Sequence, residues 1–309
     1  AVMRQVGEIL REPVFPQNEF DLLKQETLTQ IESQKSEPTF VTFTELGRHF
    51  NIYPKGHPSY SSSIEETIAD VNAVTLDDVK KFYKDFYGAS NGQMTVVGDF
   101  DEKEISSIAA EIFGSWKSKG TFTRIKSEYR AITPVNKSFE TPDKANAFFI
   151  ARLNVKMRDD NADYPAMVLG NYMLGGGFLS SRLAVRIRQK EGLSYGVGSN
   201  FFVSSLDESG TFTANAIYAP ENAEKREAAF MDELAKVARD GFTGEEIEAA
   251  KSGWLQGRQL SRAQDRELSG RLNNYLFLNR TIAWDADLES KIRALTANQI
   301  NAAMRKYIT

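Results

Sequence analysis

The sequence has no cysteine and only two histidines among its 309 residues. The absence of cysteine excludes disulfide bridges, thiolate metal sites and a cysteine nucleophile, and it is compatible with either a reducing or an oxidising compartment. No apolar run approaches the roughly 18 residues that a membrane-spanning helix needs. The net charge of −4 argues against a nucleic-acid binder, whose surface is normally basic.

The two histidines do not form a recognisable catalytic or metal motif. His49 and His57 are eight positions apart, and the segment Pro54–Pro58 around His57 cannot continue a helix. Zinc hydrolases with helical motifs place imidazoles four positions apart, on one helical face. Glu45 precedes His49 by four positions, which leaves a chelating Glu/His pair open beside an ordinary surface pair. No Gly-x-Ser-x-Gly elbow supports a serine triad, so we predict no catalytic residue and no bound cofactor or metal in this chain.

The composition is that of a globular protein with a hydrophobic fraction of 41% and a charged fraction of 26%. The length corresponds to two domains at roughly 150 residues each. Two segments recur in the same order, which indicates an internal duplication. Phe15–Lys24 resembles Phe242–Lys251, and Val74–Tyr83 resembles Leu295–Met304.

The second copy has more sequence in front of its shared segments than the first. If the copies are equivalent, the first lacks about 90 residues at its front. We therefore expect residues 1–120 to be the rear part of a first domain, 121–136 a linker, and 137–309 a second, nearly complete domain. The first copy is expected to continue into a strand at Gln93–Asp99 and a helix that ends at Trp116.

The second copy alternates strands with helices. Its predicted elements are a strand at Ala147–Leu153, helices at Tyr164–Leu174 and Ser180–Lys190, and a hairpin of Tyr195–Ser204 with Thr211–Tyr218. Four capping boxes predict further helix starts at Ser63, Thr75, Thr243 and Thr296. The pattern predicts an α+β fold, with duplicated two-layer domains in which helices pack on one face of a mostly antiparallel sheet.

The most distinctive stretch is Leu174–Tyr195. It begins with a run of three glycines, Gly175, Gly176 and Gly177, which free the backbone to turn and to meet a ligand. Phe178 follows where a phosphate loop needs Gly-Lys-Ser/Thr. The residues alone leave two interpretations open, a helix stop or a substrate-contacting loop. In a third, weaker one, the loop forms an anion site with Arg182 and Arg186, which we otherwise expect to be solvated or paired with acids.

Gly-Gly-Gly-Phe-x-Ser-Ser-Arg-Leu followed by Arg-x-x-x-Gly-Leu-Ser-Tyr resembles the C-terminal-half signature of the pitrilysin/insulinase family of zinc metallopeptidases, which includes the mitochondrial processing peptidases. The resemblance extends along the chain, at Pro16–Glu26, Tyr53–Pro58, Val96–Asp99 and Thr141–Lys144. It implies four homologous α+β domains in two halves that close around unfolded peptides. The N-terminal half of such proteins carries an HxxEH zinc motif.

The resemblance assigns a role to Arg188 and Tyr195, which match the family's Arg-x6-Tyr element and would hold the scissile carbonyl. This chain lacks the zinc motif, and Gln30, eight residues before Pro38, stands where an active domain has its distal glutamate. The expectation is the substrate-binding half of a zinc endopeptidase that cleaves peptides or unfolded polypeptides, inactive alone, with zinc in the N-terminal half or in a partner subunit. The alternative is a catalytically inactive scaffold subunit. By analogy with bacterial members the location would be the periplasm, which the residues do not distinguish from the cytoplasm.

Overall fold

The computed structural model describes residues 2–308, which divide into two units. The first unit contains the residues up to Lys35 together with Phe43–Ile125, and the second contains Ser36–Thr42 and the residues from Lys126 onward. No helix or strand is present between positions 114 and 146. Within residues 2–308, no helix is long and apolar enough to cross a bilayer.

Residues 2–113 contain six helices. They are α1 (Val2–Arg11), α2 (Gln17–Gln34), α3 (Pro38–Phe50), α4 (Ile64–Ala73), α5 (Leu76–Phe86) and α6 (Glu102–Phe113). The predicted starts of α4 and α5 are confirmed. The hydroxyls of Ser63 and Thr75 accept hydrogen bonds from the backbone N–H of Glu66 and Asp78, whose carboxylates accept the N-cap N–H in return.

The predicted strand at Gln93–Asp99 is wrong, and so is the helix end at Trp116. Positions 93–97 have no regular structure, and α6 ends at Phe113. A strand is stabilised by the ladder that it forms with a neighbour, and no strand is present anywhere in residues 2–125. The alternating pattern is present in the sequence, but the described part of the first unit offers it no partner.

Two aromatic side chains of α5, Phe82 and Phe86, are largely exposed. Phe82 is 57% and Phe86 63% exposed, and their rings contact each other with centroids 4.8 Å apart. In the repeat, Phe82 and Tyr83 correspond to Ala303 and Met304, which are buried in the second unit. The two copies therefore share this helix, but they differ in how far its apolar side chains are buried.

The second unit contains a sheet and its helices. Its strands are β1 (Ala147–Val155), β2 (Gly196–Val203) and β3 (Gly210–Tyr218), and its α-helices are α7 (Tyr164–Asn171), α8 (Ala223–Arg239), α9 (Gly244–Arg262), α10 (Asp265–Phe277), α11 (Ala283–Ala294) and α12 (Ala297–Ile308). The strands pair in the order β1-β3-β2 and are antiparallel throughout. This arrangement confirms the α+β fold and the predicted hairpin.

Between α7 and β2 the chain forms two π-helical segments joined by a short turn. The first π segment is Tyr172–Gly176, the turn is the 3-10 helix Phe178–Ser180, and the second π segment is Ala184–Lys190. Leu183 and Ile187 are fully buried in the same core as Met304 of α12. The second π segment is therefore anchored on one side, while its other side faces solvent.

Candidate functional site

The three glycines allow a close approach of neighbouring atoms that a side chain would prevent. Gly175 is buried against β2, where a Cβ atom would lie 2.5 Å from both N and Oγ of Ser199. A Cβ on Gly176 or Gly177 would lie 2.7 Å from Asn171 Nδ2 or Tyr172 O, respectively. The glycine run therefore ends the first π segment and lets it approach β2. A contact of these glycines with substrate stays a prediction.

The turn after the glycines holds Phe178 in an unusual backbone conformation. Phe178 has φ 52°, in the left-handed region that bulky residues rarely adopt. The buried Ser181 stabilises this turn, because its Oγ donates to the Phe178 carbonyl at 2.7 Å and its own carbonyl accepts from Val185 N at 2.9 Å. One serine thus both closes the turn and starts the next helical segment.

The chain returns from the second π segment to β2 through a fixed loop. Leu193 N donates to Ile187 O at 2.9 Å, and Gly192 has φ 64°, which suits glycine. Because Arg188 follows Ile187 directly and Tyr195 lies two residues after Leu193, this hydrogen bond brings the two predicted site residues to the same end of the unit. Tyr195 N donates to Ile217 O at 3.2 Å, which fixes its backbone beside β3.

Both predicted site side chains point to solvent. Arg188 is exposed and Tyr195 is 80% exposed. Within residues 2–308, neither side chain forms a hydrogen bond or an ion pair, although both stand on backbone that is hydrogen-bonded to the core elements. A guanidinium and a phenol presented in this way can donate hydrogen bonds to a ligand carbonyl.

The neighbouring arginines are already occupied. Arg182 donates hydrogen bonds to the Glu246 carboxylate and, at 2.8 Å, to Gly241 O, and the hydrogen bond to Glu246 raises the pKa of Arg182. Arg186 forms ion pairs with Glu191 and, at 3.4 Å, with Asp232. The expected pairing with acids is confirmed. The anion-site interpretation finds no support in these contacts, since carboxylates already occupy both guanidiniums.

The residues present do not fit a zinc ion. Across residues 2–308, no three histidine or carboxylate side chains form a group that could hold a metal. His57 stacks on Tyr53 with centroids 4.2 Å apart, and its Nδ1 accepts a hydrogen bond from Ser59 N at 3.0 Å. His49 lies edge-on to Phe50. Gln30 is exposed on α2, and its amide cannot act as a general base.

Sequence reasoning missed three details of this region. The exposed Phe178 was noticed only because it rules out a phosphate loop, and the contact between Gln189 Nε2 and Leu179 O, at 2.7 Å, was not foreseen. A large hydrophobic residue directly after a glycine run was the available signal, but its exposure depends on tertiary contacts. The π-helical hydrogen bonds, such as Gly177 N to Tyr172 O at 2.7 Å, also leave no mark in the sequence.

The comparisons with known proteins agree with one another. A family model described as "Peptidase M16 inactive domain" matches residues 73–253. An "Uncharacterized zinc protease YmxG" of Bacillus subtilis is 24% identical over 96% of this chain and 69% of its own length. A "Non-peptidase homolog YmxG" of Helicobacter pylori is 21% identical over 98% of this chain and 68% of its own length.

A solved structure is similar over the entire chain. The crystal structure of a peptidase M16 inactive domain from Pseudomonas fluorescens has a TM-score of 0.77 and 26% identity, and the match covers 100% of this chain and 71% of that one. The similarity therefore extends through both units and includes the stretch from the glycine run to Tyr195.

Proposed function

The chain belongs to the family of M16 peptidase inactive domains, and we propose that it is the substrate-binding half of a zinc-dependent endopeptidase that acts on peptides or unfolded polypeptides. The metal site and the general base lie in a separate half, either in the N-terminal part of the same protein or in a partner subunit. The names of zinc-protease relatives and the lack of a metal-binding group in residues 2–308 support this division of labour.

One observation carries the proposal. Of the three arginines of the stretch, Arg182 and Arg186 bind carboxylates, whereas Arg188 is exposed, and the hydrogen bond from Leu193 N to Ile187 O joins its segment to the loop that leads to Tyr195. Neither side chain belongs to the buried core, so packing alone does not account for a guanidinium and a phenol at these two positions. Peptide carbonyls are ligands that both groups can bind.

The proposed chemistry follows from the two donors. The Arg188 guanidinium and the Tyr195 hydroxyl would donate hydrogen bonds to the carbonyl oxygen of the bond to be cleaved. Such bonds strengthen as negative charge develops on that oxygen, so they favour the transition state over the bound substrate. We place the glycine run at the edge of this surface, because the exposed Gly176 has no side chain and a peptide backbone can pass close to it.

The proposal is tested by measuring how fast an assembly of both halves hydrolyses an unfolded polypeptide. Removing one oxyanion donor typically costs about 10²–10³ in kcat, so Tyr195→Phe is expected to lower hydrolysis by that order. Tyr129→Phe removes the hydroxyl of another exposed tyrosine, near the beginning of residues 126–309, and is the control. Hydrolysis unchanged in both kcat and KM by Tyr195→Phe would contradict the proposed role.

The alternative is a catalytically inactive scaffold subunit, and the name "Non-peptidase homolog" of the Helicobacter pylori relative favours it. The two candidates differ in the accompanying half. An intact HxxEH motif there, with zinc-dependent hydrolysis, supports the peptidase. A partner without that motif, in an assembly that forms equally well with Arg188→Gln and Tyr195→Phe, supports the scaffold.

A further inference from the structure

Tyr195 interrupts the alternation of the segment that leads into β2. Successive side chains of a strand point to opposite faces of the sheet, and on β2 the face toward the core is that of Val197, Phe201 and Val203. Tyr195 lies two positions before Val197, and the buried Leu193 lies two positions before Tyr195. A regular strand would therefore bury Tyr195, whose side chain is instead 80% exposed.

A β-bulge at the start of β2 explains this exposure. In the register of β2 with β3, Gly196 is the partner of Ile217, and Tyr195 N donates to the carbonyl of the same Ile217 at 3.2 Å. Two consecutive residues of one strand thus face a single residue of its neighbour, which is the arrangement of a bulge. A bulge bends the strand and changes the direction of a side chain. The phenol of Tyr195 leaves the core face for this reason.

The buried hydroxyl of Ser194 holds the bulge. Ser194 is 7% exposed, and its Oγ lies 2.6 Å from Ile217 O and 2.9 Å from Gly196 O. A hydroxyl has one proton, so Ser194 donates to one of these two carbonyls at a time. The carbonyls belong to the two residues that face each other at the end of the ladder. The backbone before and after Tyr195 is therefore attached to the same point of β3.

We propose that Ser194 is a positioning residue for Tyr195, because its hydroxyl holds the bulge that directs the phenol away from the core and toward the carbonyl of a bound peptide. This inference rests on the proposed function and adds to it a residue that does not touch the substrate. A donor that is already fixed loses less conformational freedom on binding than a mobile one. The hydroxyl of Ser194 thus contributes to peptide affinity only through the phenol of Tyr195.

A double-mutant cycle on the affinity for a short, unstructured, fluorescein-labelled peptide, measured by fluorescence anisotropy, tests this inference. Tyr195→Phe should weaken binding about fivefold, as expected for the loss of one hydrogen bond. Ser194→Ala should weaken binding about threefold when Tyr195 is present, and by less than about 1.5-fold in the Tyr195→Phe background. Ser194→Thr keeps the hydroxyl and should bind within about twofold of wild type.

A control beyond the other end of β2 separates positioning from stability. The hydroxyl of Ser205 donates to Asp159 Oδ2 at 2.6 Å, so Ser205→Ala also removes a hydrogen-bonded hydroxyl of the same hairpin. It should lower the melting temperature and leave the affinity for the peptide unchanged.

Hydrogen exchange gives a second measurement, one that also applies to the wild type. The amide hydrogen of Tyr195 should exchange slowly in the wild type and faster in Ser194→Ala, with the exchange of Val203 unchanged. Peptide binding that is unaffected by both Tyr195→Phe and Arg188→Gln would overturn the proposed function itself.

Three results would overturn only the positioning role of Ser194, given binding that depends on Tyr195. The first is a Ser194→Ala effect that is absent, or that is equally large in the Tyr195→Phe background. The second is a wild-type Tyr195 amide that exchanges as fast as in an unstructured peptide. The third is a Ser194→Ala variant that fails to fold, because the hydroxyl would then support the whole unit rather than the bulge.

Discussion

The guanidinium of Arg182 binds the carboxylate of Glu246 through two parallel hydrogen bonds, Nε to Oε1 at 2.6 Å and Nη2 to Oε2 at 2.7 Å. Glu246 also accepts a hydrogen bond from the N-cap residue Thr243, so the same carboxylate closes the capping box of α9. Arg182 lies at the start of the helical segment that leads to Arg188. This ion pair therefore fixes the site-bearing segment to the helix behind it.

Glu246→Gln should destabilise the second unit. A glutamine can still close the capping box, but the charged pair with Arg182 is lost, and hydrogen bonds to charged groups contribute about 1.5–3 kcal/mol each. We expect a loss of about 2 kcal/mol in the free energy of unfolding, measured by urea denaturation. The exposed neighbour Glu245 gives the matched control, since Glu245→Gln should stay within about 0.5 kcal/mol. Equal stability of both variants would contradict the role of the pair.

The same pair predicts a pH dependence. Burial raises the pKa of Glu246, but the hydrogen bonds from Arg182 and from Thr243 outweigh burial, so its pKa lies below the ordinary glutamate value. A carboxyl whose pKa is lower in the folded state stabilises fully above its unfolded pKa of about 4.3, and this contribution is lost as the pH falls through the folded pKa. The stability difference between wild type and Glu246→Gln should therefore shrink in acid, below about pH 4. A difference that stays constant from neutral to acid pH would refute this account.

Gly175→Ala tests the close approach of the first π segment to β2. A methyl group there would meet the backbone N of Ser199, which cannot move aside as a flexible side chain could. We expect a destabilisation of about 1–3 kcal/mol by thermal or urea unfolding. Gly257→Ala is the control, because Gly257 is exposed in α9 with no atom near the added methyl, and it should gain about 0.5–1 kcal/mol. Similar effects at both positions would contradict the packing role of Gly175.

A buried carboxylate holds the last helices of the chain together. Asp285 is 2% exposed and accepts hydrogen bonds from Arg258 and Tyr275, and from Arg271 at 2.6 Å. Asp285→Asn would leave these arginines without their counter-charge, which typically costs about 3–5 kcal/mol. Asp287→Asn changes an exposed carboxylate of the same helix and should cost under about 1 kcal/mol. If Asp285→Asn lowers the free energy of unfolding by no more than Asp287→Asn does, the cluster does not stabilise the unit.

What the sequence predicted well depends on local chemistry. The boxes at Ser63, Thr75, Thr243 and Thr296 need only residues three positions apart, and all four form. The β2–β3 hairpin also follows from a local pattern of alternating residues around a polar turn.

The features that the sequence did not predict depend on residues that are distant along the chain. The alternation at Gln93–Asp99 is a genuine strand pattern, but no neighbouring strand is present in residues 2–125 to pair with it. Likewise, the sequence could not tell which arginine remains unengaged. Arg182 finds its partner 64 positions away and Arg186 finds one 46 positions away, whereas Arg188 faces outward. The backbone conformation of Phe178 rests on the burial of Ser181, which is a tertiary effect.

The most direct test of the account is the affinity of the chain for a short, unstructured, fluorescein-labelled peptide, compared with that of the Arg188→Gln/Tyr195→Phe double variant. Arg266→Gln/Tyr129→Phe makes the same chemical changes at other exposed positions and is the control. Because the loss of two hydrogen bonds, one from a charged donor, corresponds to about 2 kcal/mol or more, the account predicts at least about thirtyfold weaker binding by the site variant and unchanged binding by the control. Equal affinities of the two double variants would contradict it.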